Sequence, residues 1–166
     1  MVEPRKAATT LVAFEVGGAL YAIDIQRVRE IIRPLPMEVL PHAPAMLVGV
    51  VDHRGDVVPL VDLRVRFATP TTSSEAGSER GTRWIIVERA GRLVGLVVDR
   101  VQEVFSAQDA QERQVPDLGP GAEQRGILAA YSHRNRLVFV ADVDRLTDVA
   151  AQASGLLRNS ARPEAR

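Results

Sequence analysis

The chain has 166 residues, no cysteine, and 21 basic side chains against 21 acidic ones. That length supports one domain with a real core or two small ones. The lack of cysteine excludes disulfides and thiolate metal sites and points to a reducing compartment. The balanced charge offers no basic field for the phosphate neutralisation on which nucleic-acid affinity largely rests.

From the N-terminus, Met1–Lys6 leads into no long apolar stretch, and no run nears the ~18 apolar residues that span a bilayer. A cytoplasmic protein without membrane insertion is expected. Leu11–Val16 and Leu20–Asp24 are β-rich runs joined by Gly17-Gly18, which predicts a hairpin. Asp24–Val28 reads as one helical turn and Glu30–Pro34 as a third strand. Val48–His53 and Val57–Leu63 flank the polar turn Asp52-His53-Arg54-Gly55, a second hairpin. Gly55 can take the positive φ that such turns need, and Arg54 is left at the tip. Pro59 lacks an N–H, so its strand should lie at an edge or carry a bulge.

Residues 68–81, rich in Thr, Ser, Glu and Gly, read as a linker. Thr82–Glu88, Leu93–Val98 and Gln102–Phe105 follow as strands, with Ala90-Gly91 as a hairpin turn and Asp99–Val101 as a helical turn. Gln108–Arg125 holds Pro116, Gly119, Pro120 and Gly121 and reads as a surface loop. Ile127–Ser132 and Leu137–Ala141 pair around Asn135, and Asp142–Ala153 carries apolar residues at helical spacing, a closing helix. The polar tail 154–166 should fray.

This order of elements repeats. Gly18-x-Leu20-Tyr21-Ala22-Ile23 aligns with Gly91-x-Leu93-Val94-Gly95-Leu96, and Val28-Arg29-Glu30-Ile31-Ile32 with Val101-Gln102-Glu103-Val104-Phe105. Gly49–Leu63 parallels Gly126–Val143, so the offset grows from 73 through 77 to 80 residues, as loop insertions in a duplicated small domain would produce. Five short strands per copy predict an all-β chain of two tandem five-stranded barrels, approximately residues 11–67 and 82–148, within one domain. Several runs are apolar on both faces; one face can fill a barrel, and the other must be covered by the second barrel or a partner.

No catalytic constellation appears. His42, His53 and His133 all lie in turns or loops without an i, i+4 partner. Asp142 and Asp144 are accounted for as strand exit and helix cap. Gly119-Pro120-Gly121 lacks the following lysine of a phosphate cradle, and no Gly-x-Ser-x-Gly elbow exists. No metal, cofactor or catalysis is therefore expected. Small barrels often bind nucleic acid with exposed aromatics on a basic face, but aromatics make up 4% of this chain and fall mostly in apolar strands. That module is the alternative of another class to an adaptor.

One set of blocks is more specific. Pro41-x-x-Pro44-x-x-Leu47-x-Gly49-Val50, Arg54-Gly55 and Val58-Pro59-Leu60-Val61-Asp62-Leu63-Arg64, with Val28-Arg29-Glu30-Ile31 and Val94–Val101, closely resemble the signature of the CheW-like coupling proteins of bacterial chemotaxis. The resemblance covers about residues 11–148. It implies two intertwined SH3-like barrels with an apolar groove between them open to partners, and no cofactor. It further implies an adaptor that couples chemoreceptor cytoplasmic tips to the regulatory domain of a histidine kinase, in arrays at the inner membrane, monomeric when isolated. By position, Arg54 and Gly55 match the hairpin tip that contacts receptors and arrays. Val28 and Glu30 match a second contact patch, Gly49 the glycine that opens the hairpin, and Val94–Val101 a groove-lining or kinase-facing block. Asp52-His53 stands where the family commonly has Asn-Leu, so His53 changes bulk and charge beside the arginine. That departure leaves room for a paralogous pathway governing surface motility or development. Read from the strand alone, Glu30 should be an outward carboxylate available to a partner's cation.

Overall fold

The structure is a computed structural model and describes residues 8–67, 81–115, 117 and 126–153. The linker at 68–80, most of the loop 116–125 and the tail 154–166 lie outside the described residues. Eleven strands are formed: β1 Thr10–Val16, β2 Ala19–Asp24, β3 Val28–Ile32, β4 Leu47–His53, β5 Asp56–Asp62, β6 Arg83–Arg89, β7 Arg92–Val98, β8 Arg100–Ser106, β9 Gln111–Arg113, β10 Ile127–His133 and β11 Arg136–Ala141. Two short helices, α1 Leu63–Arg66 and α2 Val143–Leu146, follow β5 and β11. Their caps are Asp62 and Asp142, whose carboxylates each accept a backbone N–H at 2.9 Å.

Four of the hairpins turn on two residues that both hold positive φ: Gly17-Gly18, Arg54-Gly55, Ala90-Gly91 and Arg134-Asn135. This is the pattern of the type I′ turn, whose twist matches that of the strands it joins.

The strands form two sheets, one of order β8-β1-β2-β11-β10-β9 and one of order β3-β6-β7-β5-β4. Neither follows one sequence copy. The range 11–67 gives β1 and β2 to the first sheet and β3–β5 to the second, and 82–148 is divided in the same way. The cause is local: Asp24 caps a single 3₁₀ turn over Ile25–Arg27, accepting from the Gln26 N–H at 2.9 Å. This turn sends β3 away to pair with β6 instead of folding it back on β2. By equivalence of the copies, β8 leaves β7 and pairs with β1. The two sheets therefore share one topology, and the duplication is visible as a repeated strand order.

Three apolar clusters account for the runs that are apolar on both faces. Leu11, Ala13, Leu20, Ala22, Phe105 and Val138 form a buried cluster on one face of the first sheet. Val51, Val58, Leu60, Trp84, Ile86 and Val97 form another on the second. The alternate residues of the same strands, among them Phe14, Ile23, Ile85, Val94, Leu96 and Val98, meet in a third cluster with Leu63, Val143 and Leu146. Each such side chain contributes about 1.5–3 kcal/mol on burial. The second barrel thus covers the face left over by the first, and Val94–Val98 serve as core.

Four local expectations are corrected. Asp99–Val101 is no helical turn: Asp99 is a bend and β8 begins at Arg100, the Asp99 carboxylate instead accepting the Gly17 N–H at 2.7 Å. The segment after Gln108 is not all loop, because β9 pairs with β10 and covers its outer edge. The closing helix is interrupted at Thr147, a buried residue whose hydroxyl donates to the Val143 carbonyl at 2.8 Å, and helix resumes over 148–153. Finally, β5 is an interior strand. Pro59 is tolerated because pairing with β7 begins only at Leu60, and the neighbouring irregularity lies in β4 between Leu47 and Gly49.

Candidate functional site: the hairpin tip at Arg54

The β4–β5 hairpin ends on Arg54 and Gly55, with φ of 53° and 87°. The Asp52 carboxylate closes the turn by accepting the Gly55 N–H at 3.0 Å. Arg54 has 77% of its side chain open to solvent.

Beneath it, the first and last strands of the second sheet, β3 and β4, are bridged by side chains. Glu30 on β3 is hydrogen-bonded through Oε1 to Nε2 of His53 at the end of β4. Its other oxygen lies 3.4 Å from Nη2 of Arg54. His53 is largely buried and Glu30 mostly so, with 28% of its side chain exposed. The outward orientation expected for Glu30 is therefore corrected. On β3 the half-buried residues are Val28, Glu30 and Ile32, whereas Arg29 and Ile31 are the exposed ones. Glu30 shares the inward face, where its carboxylate spans the seam between edge strands and aims the guanidinium of Arg54. The guanidinium keeps a rigid fork of donors, of which this contact occupies only part.

The remaining residues singled out from the sequence divide by role. Val28 packs against the central cluster. Arg29, beside it, pairs with Glu88 across β6. Gly49 is a packing position: a Cβ there would stand 2.6 Å from the Glu38 carbonyl oxygen. Glu38 and Val50 exchange two backbone hydrogen bonds of 2.8 Å at this point, which ties the preceding segment to β4. Gly49→Ala is expected to cost about 1–2 kcal/mol, since the obstacle is backbone and cannot rotate away. A thermal melt that matches the parent would show that the Glu38 segment yields freely.

Among the described residues no group of three or more His, Cys, Asp or Glu side chains could hold a metal ion. No helix there is long and apolar enough to cross a membrane. The aromatic rings serve the core: Phe14, Trp84 and Phe105 are buried, and Tyr21 stacks on Phe67 with centroids 4.2 Å apart. No aromatic appears among the exposed large apolar side chains, so the stacking platform of a nucleic-acid module is missing from the described surface.

Sequence reasoning passed over Glu103 and Arg134 as site residues. Glu103 lies 3.4 Å from His133 and 3.3 Å from Arg134, repeating the arrangement of Glu30, His53 and Arg54 across β8 and β10. The signal was present, because the duplication offsets of 73 and 80 residues map Glu30 onto Glu103 and Arg54 onto Arg134.

Comparison with known proteins agrees with this architecture. The family model described as the CheW-like domain matches residues 10–151. The chemotaxis protein CheW of Rhizobium meliloti is 32% identical over 139 residues, covering 81% of this chain and 84% of that one. Protein FrzA of Myxococcus xanthus is 32% identical over 88 residues, covering 53% and 52%. The crystal structure of the scaffolding protein TtCheW from Thermoanaerobacter tengcongensis superposes with a TM-score of 0.70 at 22% identity, covering 88% of this chain and 93% of that one, and so shares the fold. With eleven strands among the described residues in two SH3-like barrels, and with these matches spanning most of its length, the chain belongs to the CheW-like family of non-catalytic chemotaxis adaptor proteins.

Proposed function

We propose that this adaptor couples the cytoplasmic tips of methyl-accepting chemoreceptors to the regulatory domain of a chemotaxis histidine kinase, with the Arg54 tip as a principal contact. The supporting observation is a single one: an exposed guanidinium on a two-residue turn, aimed by a carboxylate that also ties the sheet's edge strands together. Such a group has little use within the fold. Its backbone and root are fixed before binding, which lowers the ordering cost when it grips a partner's backbone carbonyls. Exposed Val57 on β5, three residues after Arg54, and exposed Ile31 on β3, next to Glu30, add apolar surface to these contact candidates. The protein acts from the cytoplasm as a monomer that joins receptor arrays at the inner membrane.

A paralogous pathway is the second reading, favoured by two observations. His53 makes a seam contact that a leucine could not, and the chain matches FrzA over about half its length. One experiment separates the readings. Affinity-tagged protein isolated from its own cells should co-purify with a histidine kinase and chemoreceptors, and the kinase recovered identifies the pathway. Recovery of neither would reject both.

A further inference from the structure

We infer that the β10–β11 tip, centred on Arg134 and Arg136, is a second protein-docking site and that it takes an acidic segment of a partner. The inference rests on the adaptor reading in one respect, that the occupant is a protein.

The two tips share one geometry. Arg134 and Asn135 hold φ of 49° and 61°, as Arg54 and Gly55 hold positive φ at the first tip. Arg134 is 78% exposed, and its guanidinium lies 3.3 Å from Glu103, the counterpart of the Arg54–Glu30 pair. His133, counterpart of His53, stacks on Phe105 with ring centroids 4.3 Å apart. Its Nε2 lies 3.4 Å from Glu103 without hydrogen-bond alignment, a buried polar atom left unsatisfied. Exposed Leu137 then matches exposed Val57.

The charges differ. At the first tip, Asp52 and Asp56 flank Arg54 in the turn, and Arg54 pairs with Glu30. At the second, Ser132 and Arg136 stand where Asp52 and Asp56 do, and among the described residues the arginine ion pair formed there is Arg134–Glu103. Among the described residues Arg136 reaches back only to the Gly18 carbonyl, at 3.5 Å, the limit of a hydrogen bond. A duplicated support thus carries a mixed tip with net negative charge and a tip with net positive charge. Like-charge juxtaposition rejects wrong partners, so the two tips sort partners by sign. The second favours carboxylates, which a guanidinium fork binds through paired hydrogen bonds. A nucleic acid fits less well, because two arginines neutralise few phosphates and no exposed aromatic adjoins them to stack a base.

The test is an NMR titration of the ¹⁵N-labelled full chain with a hexaglutamate peptide at low salt. Amide shifts should concentrate at residues 132–136 and be much smaller at 52–56. The variant Arg134→Asn/Arg136→Gln should weaken binding about tenfold or more, with spectral dispersion reporting an intact fold; asparagine tolerates the left-handed backbone at the turn. Absence of shifts at 132–136, equal shifts at 52–56, or binding unchanged in the variant overturns the inference. Equal shifts with a hexameric deoxythymidine oligonucleotide would also overturn it, assigning the site to nucleic acid. Neither receptor nor kinase enters this titration, so its outcome is independent of the co-purification result.

Discussion

Glu30→Arg is expected to lower the melting temperature by roughly 5–10 °C and to weaken partner binding along with it. The carboxylate of Glu30 sits on the inward face of β3, held by His53 and approached by Arg54 at 3.4 Å. Reversing its charge places a second guanidinium where the first already points and removes the acceptor that the largely buried His53 uses. Leaving the largely buried hydrogen-bonding group of His53 unpaired costs ~1–3 kcal/mol, and like-charge repulsion between the new guanidinium and Arg54 adds to it. Because 28% of the Glu30 side chain is exposed, solvent screens part of that loss, leaving about 2–3 kcal/mol. Glu30→Gln should lose less, since the amide oxygen still accepts a hydrogen bond. A Glu30→Arg protein that melts like the parent would show that the carboxylate faces solvent and is free for a partner.

That case shows where the sequence was legible and where it was not. Strand positions came through because apolar period and turn residues are local signals, and the doubled pattern supplied ten of the eleven described strands; β9 is three exposed polar residues and leaves no apolar trace. Four hairpin turns could be placed to within a residue, since a two-residue turn with positive φ leaves a compositional trace in Gly17-Gly18, Gly55 and Gly91. Which strands share a sheet could not be read in the same way. The exchange of β3 and β8 depends on the direction in which a single turn at Asp24 releases the chain, and no periodicity records that direction. Glu30 illustrates the same limit at the site. Alternation on β3 is shallow, with no residue of the strand fully buried, so the inward face is set by the register with β6. His53 looked like a departure beside Arg54 when read along the chain; its reason is Glu30, 23 residues away.

Arg54→Ala is expected to leave the fold intact and reduce binding to the receptor–kinase complex by at least ~30-fold. Arginine at this position already occupies the left-handed region at φ 53°, so alanine inherits the same backbone cost and changes the turn little. Among the described residues the side chain's only paired charge is Glu30, whose carboxylate remains bonded to His53 when the guanidinium is removed. Stability should therefore move by less than about 1 kcal/mol, as for other exposed pairs. Binding is different, because an interface arginine on a rigid support commonly costs ~2 kcal/mol or more when truncated. Gly55→Val separates the two effects. A β-branched residue at φ 87° cannot hold the turn, and although a Cβ there meets no neighbour, the hairpin must distort, so stability and binding fall together. Circular dichroism melts and titration calorimetry on both variants distinguish the patterns. If Arg54→Ala melts normally and binds with parental affinity, Arg54 is a turn residue only, and the partner contact lies elsewhere on the two barrels.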